Sequence, residues 1–162
     1  MRIAMYHAKC AALLLCMLLL TSCDLLSGQT GEKGEALDFE NVEEARYLNV
    51  QDAQTAVFRT EAEWDAFWNA HVDAQEGADT PPPPQINFDE HMVIGLFWGT
   101  ISGCRGDVDA IQDVRSRRSE IVVRAEDWTS GATCMALAQP RQVVKITQTD
   151  RPVTFSGEIP TN

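Results

Sequence analysis

The stretch His91-Met92-Val93-Ile94-Gly95-Leu96-Phe97-Trp98 (HMVIGLFW) decides the fold, because it is the most apolar run outside the N-terminal segment. Its length and its residues branched at Cβ favour a strand over a helix. Nearly continuous apolar character is typical of a strand covered on both faces. We therefore predict that Met92 to Trp98 forms the central strand of a sheet.

Further strands are predicted on both sides of this run. Two strand-like segments flank the polar stretch Ser116-Arg117-Arg118-Ser119, which indicates an antiparallel hairpin with its turn centred between Arg117 and Arg118. The other segments with strand-like residues and no helical spacing are ARYLNV (45–50), TAVFRT (55–60), RQVVKIT (141–147) and Val153-Thr154-Phe155.

One amphipathic helix is predicted between the early strands and the central strand. Thr60 and Glu63 match a capping box, in which a hydroxyl residue caps the helix and a glutamate follows three residues later. Trp64, Phe67 and Trp68 then recur on one apolar face. Such a stripe could line a ligand pocket, but packing in the core is the commoner role and is the one we predict.

These elements together predict an α+β fold. We expect a mainly antiparallel sheet of five to seven strands, open or curled into a partial barrel, with the N-terminal amphipathic helix packed on it. Pro81 to Pro84 separate the helix from the central strand. Four consecutive prolines adopt an extended polyproline conformation, so this segment is predicted to be an exposed, rigid connector.

The N-terminal segment has the features of a lipoprotein signal peptide. Arg2 and Lys9 precede the apolar run Ala11–Leu20, which is shorter than the about 20 residues of a membrane-spanning helix. Leu20-Thr21-Ser22-Cys23 resembles the bacterial lipobox, whose cysteine is lipidated after cleavage of the chain before it. An ordinary cleaved signal peptide is the alternative. We predict a signal peptide at 1–22, a flexible Gly- and Glu-rich tether at 23–45, and a globular domain at 46–162.

Cys104 and Cys134 are the two cysteines left once the leader and the lipidated Cys23 are set aside. In an exported chain they favour a structural disulfide. A redox-active pair would be more typical of Cys-x-x-Cys spacing, and a metal site would need histidines closer than His71 and His91.

The composition excludes some classes of partner. The chain has 24 Asp and Glu against 13 Lys and Arg, a net charge of −11. An acidic surface repels nucleic acid and anionic lipid, so we expect neither to bind through charge. Membrane attachment is therefore predicted to depend on the lipid of Cys23.

No catalytic motif is present in the sequence. It lacks Gly-x-Ser-x-Gly, His-Glu-x-x-His, a P-loop and a dinucleotide fingerprint. Asp89, Glu90 and His91 are ligand-type residues, but neighbouring strand residues point to opposite faces, so we predict no metal site there. We expect no cofactor.

The order of these motifs resembles the PrcB C-terminal domain family over roughly residues 57–155. The resemblance is carried by EWDAFWNAH, INFDEHMVIGLFWGTISGC and CMALAQPRQVVKI. The namesake of that family is a lipoprotein subunit of a surface protease complex. The resemblance implies a small α+β domain with a partner-binding, non-enzymatic role.

The sequence therefore leaves two hypotheses for the function of the protein. The first is a lipid-anchored protein on the periplasmic or extracellular face of a bacterial membrane, whose domain binds another protein and assembles or stabilises a protease complex. The second is an envelope small-ligand binder or hydrolase with a pocket near Trp98, Asp89 and His91. A protein binder is expected to present an apolar patch or a free strand edge, whereas an enzyme is expected to have a pocket with converging titratable groups.

Overall fold

Ten strands, one α-helix and one 3₁₀ helix form the regular structure of the residues that a computed structural model of the chain describes. Those residues are 34–73, 80–102, 108–126 and 136–160. The elements, in chain order, are β1 (Glu35–Ala36), β2 (Glu40–Asn41), the 3₁₀ helix (Glu43–Tyr47), β3 (Ala53–Phe58), α1 (Glu61–His71), β4 (His91–Trp98), β5 (Ile101–Ser102), β6 (Ile111–Ser116), β7 (Ile121–Ala125), β8 (Leu137–Ala138), β9 (Arg141–Thr147) and β10 (Val153–Gly157).

The apolar run forms β4, an inner strand of a four-stranded antiparallel sheet with the order β2-β9-β4-β3. We call this the central sheet. Ile94 of β4 lies opposite Val57 of β3 on one side and Val144 of β9 on the other. All residues of β4 from Met92 to Phe97 are buried. The prediction of a central strand covered on both faces is confirmed.

The outer sheet is a second four-stranded sheet, with the order β1-β6-β7-β10. β6 and β7 form an antiparallel hairpin, and β10 adds to β7 in parallel, with Val153 opposite Ile121. Two parallel neighbouring strands cannot be joined by a tight turn and need a long crossover. Between β7 and β10 that crossover includes β8 and β9, and the chain returns from β9 of the central sheet to β10 of the outer sheet through residues 148–152.

A hydrophobic core lies between the two sheets. Met92, Ile94 and Leu96 of β4 pack in one cluster with Ile121 and Val123 of β7. Alternate residues of a strand point to the same face, so this cluster takes one face of each sheet. A smaller two-stranded ladder joins β5 to β8, with Ser102 opposite Leu137.

Helix α1 covers the other face of the central sheet. Its N-terminus has the predicted capping box: Thr60 Oγ1 accepts the Glu63 N–H at 3.3 Å, and Glu63 Oε2 accepts the Thr60 N–H at 3.2 Å. Trp64 and Trp68, at 1% and 0% exposed, pack in a second cluster with Val93 and Phe97 of β4. The prediction that the aromatic stripe belongs to the core is confirmed.

The predicted α+β class is confirmed, since the described residues form mostly antiparallel sheet with one helix packed on it. The two sheets do not close into a barrel within the described residues. No helix among those residues is both long enough and apolar enough to span a membrane.

The centre of the turn between β6 and β7 lies one residue later in the chain than predicted. Ser116 lies opposite Ile121, so the turn is centred between Arg118 and Ser119 instead of between Arg117 and Arg118. Arg117 donates its N–H to the Glu120 carbonyl at 2.9 Å and its guanidinium lies 3.3 Å from the Glu120 carboxylate. These two contacts bring Glu120 into the turn.

A compact unit begins at Gly34, earlier than the boundary at residue 46 that the composition indicated. The later part of the predicted tether contributes β1, which pairs with β6, and β2, which pairs with β9. The segment 45–50, predicted as a strand, begins within the 3₁₀ helix. Buried Val42, Ala45 and Leu48 recur every three residues, which is the period of a 3₁₀ helix.

The proline segment is less exposed than a connector is expected to be. Pro81, Pro83 and Pro84 are half-buried, and the Pro81 carbonyl accepts the indole N–H of Trp68 at 2.9 Å. Proline nitrogens donate no hydrogen bond, but their carbonyls still accept one. This contact attaches the start of the segment to helix α1.

Candidate functional site

Asp89, His91 and Trp98, the residues of the predicted pocket, do not converge. Asp89 lies in a turn before β4, where its N–H donates to Asn87 Oδ1 at 3.2 Å. His91 is the first residue of β4 and Trp98 is the last. At about 3.3 Å per residue these two ends are roughly 23 Å apart. Asp89 and His91 therefore share one end of the strand, and Trp98 belongs to the other.

The remaining predicted site residues, Cys23, Cys104 and Cys134, lie outside the described residues. Within the residues that are described, no three His, Cys, Asp or Glu side chains are grouped as metal ligands would be.

One cavity, of about 280 Å³, lies beside the buried residue Gln142. The Oε1 atom of Gln142 accepts the N–H groups of Ala110 and Ile111 at 2.8 and 2.6 Å, and its Nε2 donates to Asn41 Oδ1 at 3.1 Å. These hydrogen bonds join the central sheet to the start of β6. Because the amide is already satisfied, its role is to hold the two sheets together.

A larger and more open depression, of about 510 Å³, lies at the end of β3. Its lining includes Arg59, Asn87, Asp89 and Gln148. Arg59 Nε donates to the Thr149 carbonyl at 3.2 Å, and its Nη2 donates to the Arg151 carbonyl at 2.8 Å. Asp89 thus lines the same depression as Arg59, at the opposite end of β4 from Trp98.

The outer edge of β10 has no partner strand in the described part of the chain. Ile121 donates its N–H to the Pro152 carbonyl at 2.8 Å, and Glu158 donates its N–H to the Ala125 carbonyl at 3.1 Å. Alternate residues of a strand in a parallel ladder bond to the same neighbour. The backbone groups of Val153 and Phe155 therefore point away from β7, toward the open edge.

The outer edge of β3 is open in the same sense. Trp98 donates its N–H to the Pro140 carbonyl at 2.9 Å, so the even-numbered residues of β4 bond to β9 and the odd-numbered ones to β3. Gly95 and Val93 lie opposite Ala56 and Phe58. The backbone groups of the intervening residue Val57 consequently point away from β4, and no strand among those described pairs with them.

The two open edges adjoin the core between the sheets. Val57 of β3 and Val153 and Phe155 of β10 are partly buried side chains packed against that core. The large apolar side chains that are exposed among the described residues, Tyr47 and Leu137, lie on separate elements. An open edge, rather than a continuous apolar patch, is thus the feature of this surface that suits a partner.

Arginines gather where the end of β3 meets the start of β10. Arg59 bonds to the carbonyls of Thr149 and Arg151, as described above. Arg151 in turn donates from Nη1 to Ser116 Oγ at 2.7 Å and to the Arg117 carbonyl at 2.6 Å. Arg117 itself is paired with Glu120 at 3.3 Å. In the described residues, the hydrogen bonds of the Arg59 and Arg151 guanidinium groups all go to neutral oxygens and neither group forms a salt bridge, while the Arg59 charge also acts on the Glu63 carboxylate.

Two exposed carboxylates have lowered pKa values, and both have structural causes. Hydrogen bonds from the backbone N–H groups of Arg59 and Thr60 lower the pKa of Glu63, with a further contribution from the Arg59 charge. Lys145 lowers the pKa of Glu40 through a hydrogen bond and its charge. A lowered pKa keeps each carboxylate ionised to a lower pH, which favours the capping hydrogen bonds of Glu63 and the ion pair of Glu40 with Lys145.

The sequence patterns did not identify Arg59 and Arg151. The two residues are far apart in the chain, and they meet only because β3 and β10 are the edge strands on the same side of the two sheets. The one available signal is local: Arg59 directly follows a strand segment, and Arg151 lies two residues before one.

Comparison with family models, with characterised proteins and with solved structures gave no match to this chain. The likeness to the PrcB C-terminal domain family therefore stays a prediction from the sequence.

Proposed function

We propose that this chain is a lipid-anchored bacterial envelope protein whose folded domain binds another protein. Cys23 carries the lipid, residues 24–33 form a tether, and the unit that begins at Gly34 contacts the partner. The observation that supports this most is the pair of strand edges, on β3 and β10, with which no other described strand pairs. Unpaired strand edges are templates for another chain, and native proteins usually protect them.

The resemblance to the PrcB C-terminal domain family suggests what the partner does. By that resemblance, the domain assembles or stabilises a protease complex and is not itself an enzyme. The charge of −11 makes protein a more suitable partner than nucleic acid, which it would repel.

The anchor is tested by replacing Cys23. The variant Cys23→Ala is expected to lose palmitate labelling and to leave the membrane fraction or be misprocessed. Cys16→Ala, which changes a cysteine of the predicted signal peptide, is the matched control and is expected to label normally. Labelling and membrane fractionation of Cys23→Ala at the wild-type level would refute the anchor.

Partner binding is tested by crosslinking in intact cells. We expect one partner in a fixed ratio, lost when residues 57–155 are deleted and retained when residues 24–33 are shortened. The opposing result is recovery of no partner, together with turnover of a small substrate that depends on Asp89 or His91. That result would favour the envelope hydrolase or small-ligand binder.

A further inference from the structure

We propose that the open edge of β10 is a strand-docking site for an extended, acidic segment of the partner protein, with Arg151 and Arg59 binding its carboxylates. This proposal rests on the proposed function and specifies the surface and the chemistry of that same interaction.

The edge has the hydrogen-bonding groups that strand addition needs. The N–H and C=O groups of Val153 and Phe155 point outward, whereas the intervening Thr154 belongs to the ladder with β7. An added strand takes its affinity from such main-chain hydrogen bonds and its specificity from alternate side chains. The half-buried side chains of Val153 and Phe155 offer apolar contact to every second residue of that strand.

Arg59 and Arg151 indicate that the added strand has acidic side chains. Arg151 directly precedes Pro152 and β10, and Arg59 is bonded to the Arg151 carbonyl at 2.8 Å. Both guanidinium groups are held by carbonyl and hydroxyl oxygens, with N–H groups remaining and no salt bridge in the described residues. The Arg59 charge also acts on the Glu63 carboxylate, so Arg151 is the less compensated of the two. A guanidinium held in place by neutral groups is preorganised to bind a carboxylate through charge-assisted hydrogen bonds.

The charge of the whole chain indicates where along the β10 edge the acidic residues of the partner segment lie. A net charge of −11 repels an acidic segment from most of the surface. The acidic residues of the partner are therefore expected at the start of β10, where Arg59 and Arg151 lie, and its apolar residues along Val153 and Phe155.

The test uses a photoreactive phenylalanine analogue placed in the full-length protein in intact cells. Ser156, which is exposed on β10, is the test position. Gln112 on β6 and Ala66 on α1 are also exposed and serve as control positions on an inner strand and on the helix. We expect an adduct with another protein from position 156 and none from positions 112 and 66. The crosslinked segment is expected to contain Asp or Glu.

Variants that remove single arginine charges then show whether the crosslink depends on Arg59 and Arg151 or on the positive charge of the surrounding surface. In the 156-labelled protein, Arg59→Gln and Arg151→Gln are each expected to lower the adduct yield about tenfold, since each removes hydrogen bonds to a charged group. Arg118→Gln, which removes a charge from the exposed hairpin turn nearby, is expected to leave the yield unchanged. Arg151→Lys keeps the charge without the planar fork and is expected to recover only part of the yield. Thermal unfolding of each variant shows whether it is folded.

The outcomes distinguish this inference from the function on which it rests. Adducts with a different protein from position 112 or 66, and none from 156, would overturn the docking site and leave protein binding intact. An equal loss with Arg118→Gln, an adduct with lipid or with a second copy of this chain, or a crosslinked segment without acidic residues would also overturn it. No adduct from any of the three positions would overturn the docking site, and the crosslinking in intact cells described above then decides the proposed function.

Discussion

Gln142 shows how a single polar residue can hold the two sheets in register. Its side-chain oxygen accepts two consecutive backbone N–H groups, from Ala110 and Ile111, next to the irregularity between Ile111 and Asp113 in β6. These two N–H groups at the start of β6 are satisfied by the buried amide, and the cost of burying that amide is thereby offset.

Replacing Gln142 with leucine should therefore lower the free energy of unfolding, although the two side chains have similar volumes. Gln142→Leu leaves two buried N–H groups and the Asn41 side chain without this partner, and we expect the free energy of unfolding to fall by about 2–4 kcal/mol. Gln112→Leu, at an exposed position on the same strand as Ile111, should change it by no more than about 0.5 kcal/mol. Urea unfolding measures both, and equal effects would contradict the role of Gln142.

Glu63 gives the helix cap a pH dependence. Its pKa is lowered from 4.5, chiefly by the backbone N–H of Arg59. The ionised carboxylate therefore stabilises the folded chain above pH 4.5, and this contribution is lost as the pH falls through the lower, folded-state pKa. Glu63→Gln should lower the Tm at pH 7, and its difference from the wild type should shrink toward pH 3. Glu61→Gln is the control, and a gap that widened in acid would contradict this explanation.

At the scale of elements, Trp64 and Trp68 pack helix α1 against the central sheet, but only Trp68 also forms a side-chain hydrogen bond in the described residues. Trp68 Nε1 donates to the Pro81 carbonyl at 2.9 Å, whereas the buried Trp64 Nε1 has no hydrogen-bond partner among the residues that the structure describes. Both rings are almost completely buried, at 0% and 1% exposed. The proline segment is thus held against the helix by Trp68.

This difference predicts unequal effects of two chemically identical substitutions. Trp68→Phe and Trp64→Phe remove similar buried volumes, so the cavity costs are similar. Only Trp68→Phe also removes a hydrogen bond, while Trp64→Phe removes an unpaired N–H. We expect Trp68→Phe to lower the free energy of unfolding by about 1 kcal/mol more than Trp64→Phe. Chemical denaturation compares them, and the reverse order would show that the bond to Pro81 does not matter.

The disulfide between Cys104 and Cys134 stays a prediction, since both residues lie outside the described residues, but in the sequence they lie next to the β5–β8 ladder. Ser102 lies opposite Leu137. Cys104 follows the first of these by two residues and Cys134 precedes the second by three. A short ladder of two residues per strand is weak by itself, and a covalent bridge beside it would stabilise it.

The mass of the intact protein tests this bridge. Protein purified from the envelope without reductant should be lighter than the reduced form by two hydrogen atoms. Two thiols that react with an alkylating reagent before reduction would contradict the disulfide.

At the scale of the whole molecule, the sequence predicted the elements well and their arrangement less well. The apolar pattern of Met92–Trp98 and the capping box at Thr60 and Glu63 are local signals, and the structure confirms both. The parallel pairing of β10 with β7 depends on which sheet the chain enters after β9, and no local pattern encodes that choice. The candidate site could not be predicted for the same reason, since Arg59 and Arg151 are brought together by long-range pairing.

The early strands were missed for a different physical reason. Glu35, Ala36, Glu40 and Asn41 have low intrinsic strand preference, and their polar character is typical of a tether. They pair because β6 and β9 each have an edge that needs a partner. With those edges covered, β3 and β10 are the edges of the two sheets that no other described strand pairs with, and these are the edges on which the proposed partner binding rests.

Native mass spectrometry of the protein extracted from its membrane tests the central claim, that this domain binds a different protein, most directly. Extraction in mild detergent keeps the lipid anchor and the partner together. We predict a complex whose mass equals one lipidated chain plus a different polypeptide in a fixed ratio. Detection of the lipidated chain alone, or only in multiples of itself, would contradict the claim.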